Sequence, residues 1–168
     1  MTAALPAGLV YRPDFLAFDE EGALLELLDA LEFEPIVMRG VTARRTALRY
    51  GDEVPNWLAP LRDRGAALAG LEPQALAQAL VQRYPPGAPI GWHRDYATYD
   101  AVVGISLGAD ARMRFRRGDA QSEILLERRS AYVLAGEARW EWEHHVPPVK
   151  ELRYSVTFRS VRRRSARP

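Results

Sequence analysis

The sequence predicts a mainly β, mixed α+β domain, with two helices packed on one face of a double-sheet core. Three observations lead there. The chain has 168 residues, enough to bury one sizeable core and too few for two ordinary ones. Apolar residues at helical spacing are confined to roughly the first seventy positions. From about residue 79 the pattern changes to short period-two runs separated by Gly, Pro and Asp.

Taking the elements in order, Leu24, Leu27, Leu28 and Leu31 form an i, i+3, i+4, i+7 stripe that predicts a helix over 20–33. Asp19 is its expected N-cap, and Pro35 prevents its continuation. Residues 41–50 (VTARRTALRY) read as a strand ended by the turn pair Gly51-Asp52. Residues 57–69 read as a second helix, with Pro60 in the first turn, where proline is tolerated. Strands are then expected at 79–84, 89–93, 101–107, 111–116, 121–127, 130–135, 139–144 and 152–159. That spacing suits a sandwich or barrel.

Composition narrows the chemistry. With no cysteine, disulfides, zinc–thiolate sites and thiol catalysis are excluded. The net charge is +1, but residues 1–40 carry eight acids against two arginines, and residues 111–168 carry fourteen bases against seven acids. The opening MTAALPAGLV lacks a basic region before an apolar run. The least polar stretch, AVVGISLGA, is about half of the roughly 20 residues that cross a bilayer. We expect a soluble, cytoplasmic monomer with no membrane contact.

There are three histidines, His93, His144 and His145. In W-H-R-D, His93 and Asp95 lie two apart, so at a strand end both side chains reach one point. An HxD pair alone is more often a solvated surface turn. A third ligand would come from His144 or His145. Alternation puts Trp140, Trp142, His144 and Val146 on one face and His145 on the other, which favours His144. Two His and one carboxylate with open positions is the donor set of non-haem Fe(II) oxygenases. In R-Y-S-V-T-F-R, Arg153, Ser155, Thr157 and Arg159 share a face. That face either meets water or lines a cavity in which a guanidinium fork clamps a carboxylate.

Four blocks, RYPPGAPIGWHRD, GISLG followed by MRFRR, AGEARWEWEHHVP and RYSVTFR, resemble in order and spacing the AlkB family of 2-oxoglutarate- and Fe(II)-dependent dioxygenases. The resemblance is close over residues 80–159 and loose over 8–60. It implies a double-stranded β-helix (jelly roll) as catalytic core over 79–160. A helical and substrate-recognition extension would span 1–78 and a basic tail 161–168. It implies His93, Asp95 and His144 as Fe(II) ligands, with O2 as co-substrate. Arg153 would pair with the distal carboxylate of 2-oxoglutarate, with Arg159 and Tyr84 close to the same molecule. Gln82 and Ser155 each stand where the family often has asparagine, keeping hydrogen-bonding capacity at a different reach.

The resemblance further implies a nucleic-acid partner, either alkylated DNA or RNA including tRNA. The reaction would be hydroxylation or oxidative demethylation of a base. Arg44, Arg45 and Arg49 fall in the family's nucleotide-recognition region, and Tyr96 and Tyr99 could stack on a substrate. An arginine-rich chain with one lysine is also explained by base composition alone. Repair members carry a second acid two positions after the metal aspartate. Here that position is Ala97, which favours an RNA-directed role. A protein side chain as substrate is the alternative, because the iron chemistry would be the same. A remote alternative, a serine hydrolase built on Ser106 in G-I-S-L-G, needs a helix after the serine, and a period-two run stands there instead.

Overall fold

The computed structural model describes residues 3–51 and 53–162. Eleven strands form two antiparallel sheets. They are β1 (Leu9–Arg12), β2 (Glu34–Met38), β3 (Val41–Tyr50), β4 (Gln78–Tyr84), β5 (Ile90–His93), β6 (Tyr99–Leu107), β7 (Ala111–Arg117), β8 (Ala120–Leu126), β9 (Ala131–Leu134), β10 (Glu143–Val146) and β11 (Arg153–Val161). The major sheet runs β1-β9-β6-β11-β4-β3-β2 and the minor sheet β5-β10-β7-β8. This is the expected jelly roll. Helices α1 (Phe18–Asp29) and α2 (Ala59–Ala69) cover the outer face of the major sheet, and a third, α3 (Gly136–Trp140), precedes β10.

Alternation along β11 decides where the core sits and where the cavity opens. Tyr154, Val156 and Phe158 point outward and pack with Leu28 of α1, Leu61 of α2 and Val103 of β6. Arg153, Ser155, Thr157 and Arg159 point inward, toward the minor sheet, and are buried as well. A second apolar cluster, including Val102, Met113, Phe115, Tyr132 and Trp142, fills the rest of the space between the sheets. Gly104 makes room for it. A Cβ there would lie 2.2 Å from Cζ of Tyr132, its cross-strand partner.

Glu21 fixes α1 to the sheet. Its carboxylate accepts from Arg128 (Nη2, 2.7 Å) and from the Gly108 N–H (3.2 Å). Burial acts to raise its pKa, but these hydrogen bonds outweigh it and hold the carboxyl below the usual range.

Several elements depart from the sequence reading. The α1 N-cap is Ala17 rather than Asp19, which lies in the first helical turn, where a negative charge is favourable. Strands β1 and β2 were not expected. Both are short edge strands, and β2 carries Pro35, which an edge tolerates because only one neighbour needs its N–H groups. The β2–β3 turn takes positive φ at Arg39 (50°) and Gly40 (76°), matching the twist of a two-residue hairpin. The expected strand over 139–144 begins only at Glu143, because Gly136–Trp140 forms α3. Its Glu-Ala-Arg run suits a helix, and the alternating Trp and Glu after it imitate a strand. No helix of the described residues is long and apolar enough to cross a membrane. The tail from 163 onward lies outside the described residues.

Candidate active site

The two sheets enclose a cavity of about 320 Å³, within the range of small-molecule sites. The minor sheet supplies two histidines. His93 ends β5 and is the register partner of His144 on β10, with ring centroids 4.3 Å apart. Asp95 comes two residues later, its Oδ1 3.6 Å from His93 Nε2. One ligand atom from each of the three lies within 4.8 Å of the other two.

The donor chemistry fits a divalent metal. His93 Nδ1 contacts the Gly91 carbonyl at 2.7 Å, the outer hydrogen bond that orients a metal-binding imidazole and leaves Nε2 facing Asp95. Buried His144 has no hydrogen-bond partner for Nδ1. Burial, with the neighbouring His93 ring adding to it, pushes the His144 pKa down to about 3. The ring is therefore neutral, as a ligand must be. Asp95 is ionised. Burial acts to raise its pKa, but the adjoining His93 ring and the Arg159 guanidinium, 4.0 Å away, hold it far below the carboxylate range.

The major sheet supplies the other wall. Arg153 is 2% exposed. Its Nε donates to Ser106 Oγ at 2.9 Å and its guanidinium lies 5.0 Å from the Tyr84 ring centroid. Among the described residues it has no carboxylate partner. A buried cation without a counter-charge is costly, so this wall is built to receive an anion. Register places Arg153 beside Tyr84, and Ser155 between Gln82 and Ser106. Arg159 lies further along, over the Tyr99 ring (5.0 Å), with Nε buried and unpartnered.

The expected site residues are largely brought together. His93, Asp95, His144, Tyr84, Gln82, Arg153, Ser155, Arg159, Arg45 and Tyr96 all line the cavity. Arg45 donates from Nε to Gln82 Oε1 at 2.9 Å, and Tyr96 is 69% exposed at the mouth. Two residues lie elsewhere. Arg44 points to the opposite face of β3 from Arg45 and donates to the Gly87 carbonyl, because neighbouring strand residues alternate. Tyr99 stands behind Arg159 rather than on the cavity wall. His145 packs outside against Trp92, with ring centroids 4.1 Å apart. Ser106 lies fully buried next to the last residue of β6, and strand β7 rather than a helix follows, which removes the hydrolase reading.

Arg139 escaped the sequence reading. It is 2% exposed, and Nη2 donates to the carbonyls of Tyr96 (2.7 Å), Tyr99 (2.7 Å) and Asp95 (3.2 Å), while Nε donates to Asp100 (2.9 Å). It holds the loop that carries Asp95. The sequence signal was faint: one arginine in a predicted strand among many others. Thr157, whose hydroxyl lies 3.4 Å from that of Ser155, is another cavity residue given no role beforehand.

A jelly roll carrying two histidines and an aspartate opposite buried arginines has the architecture of a non-haem iron oxygenase. Residues 37–162 match the 2OG-Fe(II) oxygenase superfamily, and the chain belongs to it. Ferrous iron, 2-oxoglutarate and O2 are the cofactor and co-substrates that this membership implies. The chain is similar to an "alkylated DNA repair protein ALKBH8 homolog" of Arabidopsis thaliana, 28% identical over 93% of this chain and 56% of that protein. It is also similar to the alpha-ketoglutarate-dependent dioxygenase AlkB of Salmonella typhimurium, 36% identical over 57% of this chain and 49% of that one. Among solved structures, OsALKBH1 superposes with a TM-score of 0.73 at 18% identity, covering 94% of this chain and 100% of that one. The chain spans about half the length of the curated relatives it matches.

Proposed function

We propose that this chain is a 2-oxoglutarate- and Fe(II)-dependent dioxygenase that hydroxylates or demethylates a nucleic-acid base. The observation that carries the reading is Arg153, buried and, among the described residues, without a carboxylate partner, in the same cavity as His93, Asp95 and His144. A dicarboxylate that also chelates a metal fits both walls at once.

His93, Asp95 and His144 would hold the iron, which with 2-oxoglutarate and dioxygen supplies the oxidising power for attack on a substrate C–H bond. The balance is one O atom into that bond and one into succinate, with loss of CO2. An N-hydroxymethyl product then expels formaldehyde, and the ring nitrogen takes the proton. The chain's own residues bind and orient. Arg153, held by Ser106, pairs with the distal carboxylate. Tyr84, Gln82 and Ser155 offer hydrogen bonds beside it, and Arg159 adds positive charge near Asp95. Val102, Met113 and Tyr132 make the inner wall apolar and keep water out.

The nucleic-acid reading is supported by the names of the relatives and by a mouth that combines Arg49 and Arg94 with exposed Tyr96. The test is consumption of 2-oxoglutarate with and without Fe(II), then nucleoside mass spectrometry on methylated single-stranded DNA, methylated RNA and total tRNA. Arg153→Leu should abolish 2-oxoglutarate binding in calorimetry while metal binding persists. Fe(II)-dependent turnover that leaves every nucleic acid unchanged would refute the substrate class. No turnover at all would refute the enzyme.

A further inference from the structure

We infer that the cavity selects an uncharged, carbonyl-bearing base and rejects a cationic one, an inference that rests on the nucleic-acid reading above. Among the described residues, five arginines line the cavity, Arg45, Arg49, Arg94, Arg153 and Arg159, against a single carboxylate, Asp95. The two charges of a ferrous ion and the two of 2-oxoglutarate cancel, so the arginine excess persists in the loaded site. Arg153 and Arg159 serve the co-substrate. Arg45 and Arg49 share the inner face of β3, and Arg94 lies between the two metal-site residues of the β5 end.

None of these three forms an ion pair among the described residues, but Arg94 leans outward and donates to the Glu141 carbonyl at 3.4 Å, which leaves Arg45 and Arg49 as the uncommitted cations of the inner wall. The shortage of acids is local. On the outer face of the minor sheet the arginines are matched, Arg112 and Arg114 by Glu123 and Arg116 by Glu143, and at the end of β7 Arg117 is matched by Glu137 and Glu141. The buried Arg45 uses only Nε, on Gln82, so its two terminal nitrogens are available toward the cavity. After Asp95 the chain runs Tyr96-Ala97-Thr98-Tyr99 before the next acid, Asp100, whose Oδ1 is taken by Trp140 Nε1 at 3.1 Å.

Alkylating the proton-free ring nitrogen of adenine or cytosine creates a ring that is cationic at neutral pH. Alkylating the N–H of uracil leaves a neutral ring with two carbonyl acceptors. Guanidinium groups donate to the second and repel the first.

The comparison uses two single-stranded RNA oligonucleotides identical except for one 3-methyluridine or 3-methylcytidine, rings of the same shape. We expect kcat/KM to favour 3-methyluridine by about tenfold or more, the size of a like-charge penalty in a partly screened cavity. The same order should appear in equilibrium binding by fluorescence anisotropy without iron. Arg45→Gln combined with Arg49→Gln should bring the ratio toward one. Loss of folded protein or of 2-oxoglutarate affinity cancels in that ratio. Equal rates or a preference for 3-methylcytidine would overturn the inference and leave the base-demethylase reading standing. If neither oligonucleotide changes while 2-oxoglutarate is consumed, the reading and the inference fall together.

Discussion

Replacing Arg139 with methionine removes four hydrogen bonds at once and deletes the one side chain that gathers the carbonyls of residues 95, 96, 99 and 100. Hydrogen bonds to a charged donor contribute about 1.5–3 kcal/mol each, less where water can replace the donor. Tyr96 and Asp100 are exposed, so their carbonyls can hydrate, and the loss should come to about 3–5 kcal/mol. For a domain of this size that lowers Tm by about 10 °C. Because the released loop carries Asp95, metal affinity should also fall, by about 10–100-fold as for other second partners of metal ligands. Arg139→Lys restores the charge without the fork and should recover only part of each. Circular dichroism on heating and Mn(II) calorimetry measure the two effects. A variant with the parental Tm and the parental metal affinity would refute the clasp.

Three further outcomes are expected. Gly104→Ala should destabilise by about 1–3 kcal/mol through overpacking against Tyr132, and Tyr132→Ala should relieve part of it in a double-mutant cycle read by urea denaturation. Strict additivity of the two would show that the ring does not occupy the glycine's space. Glu21 is held below its ordinary pKa, so the unfolded chain binds the extra proton; its stabilisation is present above about pH 4.3 and fades as pH falls through the lower folded value. The gap in urea midpoint between parent and Glu21→Gln should thus be wide at pH 7 and narrow near pH 3. Tyr96→Ala should cut substrate turnover with iron content unchanged by atomic absorption; unaltered turnover would remove Tyr96 from the mouth's function.

Much of this was legible in the sequence, for physical reasons. The polar row on β11 could be read because period two is strict in a buried strand, where a slip would drive arginines into the helix-covered face. His144 was separable from His145 by the same rule, even though the strand starts later than alternation implied. What escaped were features set by distant partners. Edge strands β1 and β2 exist because a neighbour accepts them, and their own patterns are weak. Arg139 looks like any other arginine until folding brings the 95–100 carbonyls to it. Gln82 was legible as a polar cavity residue, but not its bond to Arg45, 37 residues away.

The site is divided between the two sheets: His93 and His144 belong to one, Arg153 and Arg159 to the other. A molecule that ties the metal triad to Arg153 therefore acts as a crossbar, because it binds the shut sandwich and has no purchase on the parted sheets. Its binding energy becomes resistance to opening, about 2.7 kcal/mol at a hundred times its dissociation constant. Scarcity of iron or 2-oxoglutarate would then do more than slow catalysis. It would leave the cavity seam as the place where the protein first breathes, and where proteases first enter.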